Sequence, residues 1–177
     1  MAENAASNAE NNLAIARAGG GIKPLVALAG NGTDGQKQWV AAALSHLALN
    51  ADNQVAIATA GGIDPLVALA RGGTDGQKEA AAMALRNLAA NNADNQVAIA
   101  RAGGIDPLVA LARNGTGGQK QYAAAALRNL ARSNADNAVA IATVGGIDPL
   151  VALARGGTDA QKQYAAAALR NLANNNA

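Results

Sequence analysis

His46 is the only histidine in the sequence, and the chain has no cysteine. A thiol nucleophile, a thiolate metal site and a disulfide framework are therefore excluded, and His46 has no thiol to activate. Carboxylates do not gather at metal-ligand spacing; they recur once or twice per unit, and six of the twelve stand beside a proline or a threonine at a helix start. Gly72-Gly73 and Gly117-Gly118 lack the Gly-x-x-x-x-Gly-Lys-Ser/Thr sequence of a phosphate loop, and they read as turns. The tripeptides beginning at Asn31 and Asn114 match the glycosylation sequon, which without a secretory signal also reads as turn chemistry. The sequence thus offers no catalytic residue, no metal ligands and no cofactor motif, and it predicts a non-enzyme.

The elements that would position any other chemistry are set by a repeat. Pro24, Pro65, Pro107 and Pro149 are spaced by 41, 42 and 42 residues. Such a period marks a stacked-helix array in which each unit covers its neighbour's apolar face. The units are 8–49, 50–91, 92–133 and 134–175, and the whole chain, 1–177, is expected to form one solenoid domain. Unit 1 carries an extra glycine in Gly19, Gly20 and Gly21 and lacks one residue near Asn50, which explains the shorter first spacing.

Each unit divides into three predicted helices. In unit 3 a short first helix follows Asp94 and Asn95, carries Val97 and Ile99, and stops at Gly103 and Gly104, where positive φ is cheap. The second begins with Asp106 as N-cap and Pro107 at the first helical position, where a missing N–H costs nothing, and ends near Asn114 and Gly115. Thr116 followed by Gln119 starts the third with a capping box, repeated at Thr33 and Gln36, Thr74 and Gln77, and Thr158 and Gln161. Arg71, Arg113 and Arg155 lie near the end of the second helix, where positive charge complements the dipole. With half the residues apolar but only 2% aromatic, the core must be Ala, Leu, Val and Ile, packed by close and regular helix approach.

A unit of one short and two longer helices with a glycine pair between the first two resembles the armadillo repeat, and the segment 102–112 is similar to that family's first corner. The resemblance implies an all-α, right-handed alpha-alpha superhelix of four repeats. Units 3 and 4 differ at eight aligned positions, nearer to a consensus or designed array, or a recent duplication, than to diverged natural repeats. It further implies a groove along the third helices that holds an extended peptide, with an asparagine near each helix end bonding the peptide backbone. The matching positions hold Asn87, Asn129 and Asn171, with His46 in unit 1. Where the family has a tryptophan one turn earlier, this chain has Ala42, Met83, Ala125 and Ala167. A buried tryptophan contributes roughly 4 to 6 kcal/mol. Three asparagine bonds at about 1 kcal/mol each do not replace it.

Two helical turns before the ladder stand Trp39, Tyr122 and Tyr164, the chain's three aromatic residues, with Ala80 in unit 2. Their shared position fits either a displaced aromatic row on the groove or rings packed between neighbouring third helices. Lys37, Lys78, Lys120 and Lys162, then Arg86, Arg128 and Arg170, recur on the third helix, with Glu79 the only acid in its body. If the groove takes a peptide, the charge predicts an acidic or neutral one.

Formal charge is only +2, too little to predict a nucleic-acid or membrane partner. No apolar run approaches a bilayer span, and the first ten residues lack the regions of a signal peptide. The expected location is cytoplasmic or nuclear for a natural protein, and otherwise recombinant. The reading is a protein- or peptide-binding scaffold. The alternative is a designed or duplicated structural array without a ligand, pairing end to end with a second copy because Leu13, Ile15, Leu169 and Leu172 keep the internal pattern at the ends.

Overall fold

The computed structural model describes residues 10–12 and 14–174, and the described residues are helical with no strand. Leu13 and Asn175 lie outside them. Helical residues up to Arg17 run into a 3₁₀ turn at Ala18–Gly20 and open unit 1, followed by α1 (Ile22–Asn31) and α2 (Asp34–Leu47). Unit 2 has α3 (Ala51–Thr59), α4 (Ile63–Gly72) and α5 (Asp75–Leu88). Unit 3 has α6 (Ala93–Arg101), α7 (Ile105–Asn114) and α8 (Gly117–Leu130), and unit 4 has α9 (Ala135–Thr143), α10 (Ile147–Gly156) and α11 (Asp159–Asn174). The chain is an α-solenoid in which each third helix packs most closely on the third helix of the unit before, α5 on α2, α8 on α5 and α11 on α8. No single helix among the described residues is long and apolar enough to cross a membrane.

The alanine run makes that close stacking possible. Ala81, Ala82 and Ala84 in α5 and Ala123 to Ala126 in α8 are all fully buried, with Leu85, Leu88, Leu127 and Leu130 beneath them. Small side chains bring the helix backbones together, and the leucines fill the layer between third and second helices. Thr33, Thr74 and Thr116 each form the reciprocal capping box with the glutamine three residues on, as the sequence predicts.

Two helix starts differ from expectation. The first helix of unit 3 begins at Ala93, capped by Asn92, whose side chain accepts from the Asn95 N–H at 3.0 Å. Asp94 and Asn95 therefore lie inside its first turn. The second helix begins at Ile105, with Gly104 as N-cap and no side-chain cap. Asp106 is thus in the first turn, and Pro107 is the third helical residue. Proline is harmless there too, because the first N–H groups of a helix have no internal acceptor. Asp106 still places its charge at the positive end of the dipole.

Between the first and second helices the chain turns sharply at Gly103, φ +72°, a conformation repeated at Gly61 and Gly145. The following glycine serves a different need. A Cβ on Gly104 would lie 2.8 Å from the Ile99 Cγ2, 2.9 Å from the Ile99 carbonyl and 3.2 Å from Val67 Cγ2 of the preceding unit. At the junctions into units 3 and 4 the chain passes through left-handed Asn91 and Ser133, both φ 55°. The junction into unit 2 lacks that left-handed residue: Leu49 and Asn50 donate directly to the carbonyls of His46 and Leu47. This is the residue missing near Asn50.

Overpacking at the corner costs about 1–3 kcal/mol, whereas a glycine in open helical space gains from alanine by about 0.4–1 kcal/mol. Gly104→Ala is therefore expected to lower the urea midpoint clearly. Gly72→Ala, where nothing lies within 4 Å, should leave the midpoint unchanged or raise it.

Candidate functional site

The third helices form one continuous face, and side-chain amides set its register. Gln77 Nε2 donates to the Asp34 carbonyl at 2.9 Å and to Asp34 Oδ1 at 3.1 Å, in the unit before. Gln119 does the same to Asp75 at 2.9 and 3.2 Å, and Gln161 reaches the Gly117 carbonyl at 2.8 Å. Each of these glutamines also accepts from its own capping threonine's N–H, so one amide closes its helix and ties it to the previous unit. At the other end of the helix, Asn87 Nδ2 donates to the Ser45 carbonyl at 2.8 Å, Asn129 to Arg86 at 2.8 Å and Asn171 to Arg128 at 3.0 Å. All six amides are buried.

The asparagine ladder is therefore engaged within the protein itself. An amide nitrogen carries two hydrogens, so one remains for a second acceptor. Asn129 Oδ1 accepts from Arg128 Nε at 3.1 Å and Nη2 at 2.8 Å, and Asn171 Oδ1 accepts from Arg170 at 3.3 Å. His46, at the ladder position of unit 1, is exposed and bonds the Ala42 carbonyl of its own helix through Nδ1 at 2.8 Å.

The three aromatic residues do not share one environment. Trp39 is 74% exposed, whereas Tyr122 and Tyr164 are half-buried and packed against the core. Trp39 and Tyr122 nevertheless line one cleft of about 350 Å³, together with Met83, Asp75 and Glu79. The tyrosines thus pack partly against the core, and the tryptophan is presented to solvent. Tyr164 lies under two cations, with Arg128 Cζ 5.5 Å and Arg86 Cζ 5.9 Å from the ring centroid. Arg86 belongs to unit 2 and Tyr164 to unit 4, so a single contact spans three units.

Charge along the face is divided. Arg86 and Arg128 line a second cleft of about 460 Å³ together with Asn87 and Asn129. Burial pushes the Arg128 guanidinium's pKa down; the Tyr164 hydroxyl opposes this, and Arg86, Arg132 and Arg170 add to it. The acidic side, Asp75 and Glu79, has a local cause. Unit 3 has Gly117 where the other third helices start with aspartate, and a Cβ on Gly118 would collide with the Glu79 carboxylate. Glu79 thus brings negative charge to the first turn of α8 from the unit before.

Sequence reasoning missed the second use of the capping-box glutamines. The signal was available: glutamine is kept at that position in all four units, although glutamate also completes a capping box. It also read Arg71 and Arg113 as dipole partners only, whereas they donate to the carbonyls of Gly103 and Gly145 in the next unit at 3.1 and 3.0 Å. Among the described residues no group of His, Cys, Asp and Glu could hold a metal ion.

The armadillo/beta-catenin-like repeat pattern matches residues 50–90 and 92–132. No curated protein sequence matches the chain. Among solved structures, an engineered protein is 31% identical with TM-score 0.86, covering 93% of this chain and 40% of its own. A designed armadillo repeat protein in complex with the peptide (KR)4 is 24% identical with TM-score 0.85, over 92% of this chain and 68% of its own. A computationally designed armadillo repeat protein for modular peptide recognition is 26% identical with TM-score 0.80, over 86% and 64%. The chain thus spans between two fifths and about two thirds of these proteins' length.

Removing a buried amide leaves a carbonyl without its partner, which costs about 1–3 kcal/mol. Asn129→Ala is therefore expected to lower stability by that amount even with no ligand, measured by urea unfolding. His46→Ala, on an exposed side chain, should change it by less than about 0.5 kcal/mol.

Proposed function

The chain is an armadillo-repeat protein of consensus or designed type, a repeat scaffold, and on that premise we propose that its third-helix face binds an extended peptide. The observation that carries the reading is the cleft between Trp39 and Tyr122, where an exposed indole and a tyrosine from different units face the same space. An exposed tryptophan offers a large, rigid contact surface that loses little entropy on binding. The remaining amide hydrogens of Asn87, Asn129 and Asn171, with His46 in line, are suited to the carbonyls of a chain laid across the helices. Arg86, Arg128 and Arg170 supply positive charge beside that path, which favours an acidic or neutral segment over that half of the groove. Asp75 and Glu79 give the other half the opposite character.

Trp39 is the only tryptophan, so its emission reports binding directly. Titration should shift that emission to shorter wavelength for peptides that are acidic or neutral toward the arginines and neutral or basic toward Trp39, and should shift it less for uniformly acidic ones. Trp39→Phe and Tyr122→Ala should each weaken binding roughly tenfold, the size of a lost aromatic anchor, with binding followed by calorimetry. A peptide that binds equally well to both variants would remove the cleft from the function.

A second reading, pairing with another copy, is favoured by Ile147 and Val151. They are 42% and 40% exposed, whereas the matching Ile105 and Val109 are 6% and 4% exposed beneath the following unit. Sedimentation should then show mass rising with concentration, and Ile147→Glu should abolish the rise.

A further inference from the structure

The two guanidinium groups over Tyr164 come from different units, Arg128 from the unit before and Arg86 from two units before. Two cations sharing one ring repel each other, and a ring quadrupole offsets only part of that. Asn129 Oδ1 takes two of the Arg128 donors and Asn171 Oδ1 takes one from Arg170, but both acceptors are neutral. The other charged side chain bearing a hydrogen bond here is Arg132, which reaches Asn91 Oδ1 at 2.6 Å, again a neutral acceptor. The cleft that Arg86 and Arg128 line has one carboxylate at its edge, Asp52, which sits in the first turn of α3 where it faces the positive end of that helix. Exposed Leu49 and Val55 stand near the same cleft, 66% and 57% exposed. The site therefore combines concentrated positive charge, amide donors from Asn87 and Asn129, and an apolar rim.

Resting on the peptide-groove reading, we propose that Arg86 and Arg128 form an oxyanion site that takes the phosphate of a phosphorylated side chain in the bound peptide. Charge decides between phosphate and carboxylate. A carboxylate carries one negative charge and saturates a single guanidinium fork, leaving the second cation unmatched. A phosphomonoester carries about −1.5 to −2 at neutral pH and three acceptor oxygens, enough for both forks and an asparagine N–H. The shared Tyr164 ring places the two arginines together, so the site is a property of units 2 to 4 acting as one.

The test compares labelled, end-blocked peptides of alanine and leucine whose central residue is phosphoserine, glutamate or serine, with binding read by fluorescence anisotropy. The phosphoserine peptide should bind at least tenfold more tightly than the other two. Arg86→Gln and Arg128→Gln should each erase that difference. Arg155→Gln, an equal loss of charge on the exposed end of α10, should keep it. Arg86 makes its contact through the ring alone, so its variant keeps the assay clear of the Asn129 hydrogen bonds that Arg128 supports. Equal binding of the phosphoserine and serine peptides would overturn the oxyanion site and leave the groove standing. An Arg155→Gln loss as large as that of Arg86→Gln would also overturn it, because diffuse charge would then explain the effect. If no peptide binds, titration with inorganic phosphate decides: shifts of the Arg86 and Arg128 Nε–Hε resonances uphold the site without the groove, and their absence overturns both.

Discussion

Hydrogen bonds from buried side-chain amides to the preceding unit are the constraint on which the rest of this structure depends. An alanine-rich interface is nearly featureless, and apolar contact between such surfaces tolerates sliding. Gln77, Gln119 and Gln161 at the start of the third helices, and Asn87, Asn129 and Asn171 near their ends, pin each helix at two points to a particular carbonyl of its neighbour. A slip by one residue would strand those amides in a water-poor interface, where an unpaired group costs more than the bond is worth when made. Alanine supplies closeness, and the amides supply register.

Register in turn sets what the outer face presents. Because every third helix holds the same relation to the one before, the position two turns ahead of the ladder asparagine recurs along the groove, yet its neighbours depend on the unit. In unit 1 it carries the exposed Trp39; in unit 4 Tyr164 meets arginines from the two units before. Identical helices therefore produce different local chemistry: an aromatic cleft edged by Asp75 and Glu79, and a cationic cluster around Arg128. A few substitutions on a uniform frame suffice to divide the groove.

Much of this was legible in the sequence, because a repeat states the same local rule four times. Thr-x-x-Gln fixed the third-helix starts, and the glycine pair fixed the first corner, since capping and left-handed backbone are local matters. Helix starts without a side-chain cap were harder: proline is tolerated anywhere in a first turn, so Pro107 did not mark the first residue of α7. What stayed hidden was pairwise and long-range. Within one unit nothing distinguishes a glutamine that only caps from one that also reaches 43 or 44 residues back, so only its retention across the units hints at the second use, and the meeting of Arg86 with Tyr164 depends on how three units stack. Exchange of Gln for Glu79 in unit 2 and of aspartate for Gly117 in unit 3 looks like drift until the two are seen together.

The amide claim is tested most directly by the side-chain NH₂ resonances of Gln77, Gln119, Gln161, Asn87, Asn129 and Asn171 in a nitrogen-labelled sample. Buried donation to the preceding unit predicts hydrogen exchange far slower than that of the exposed Asn31 and Asn114 amides, with nuclear Overhauser contacts from each amide to the third helix of the unit before. Exchange at the rate of Asn31 and Asn114, without those contacts, would contradict the account and leave the register of the groove without its cause.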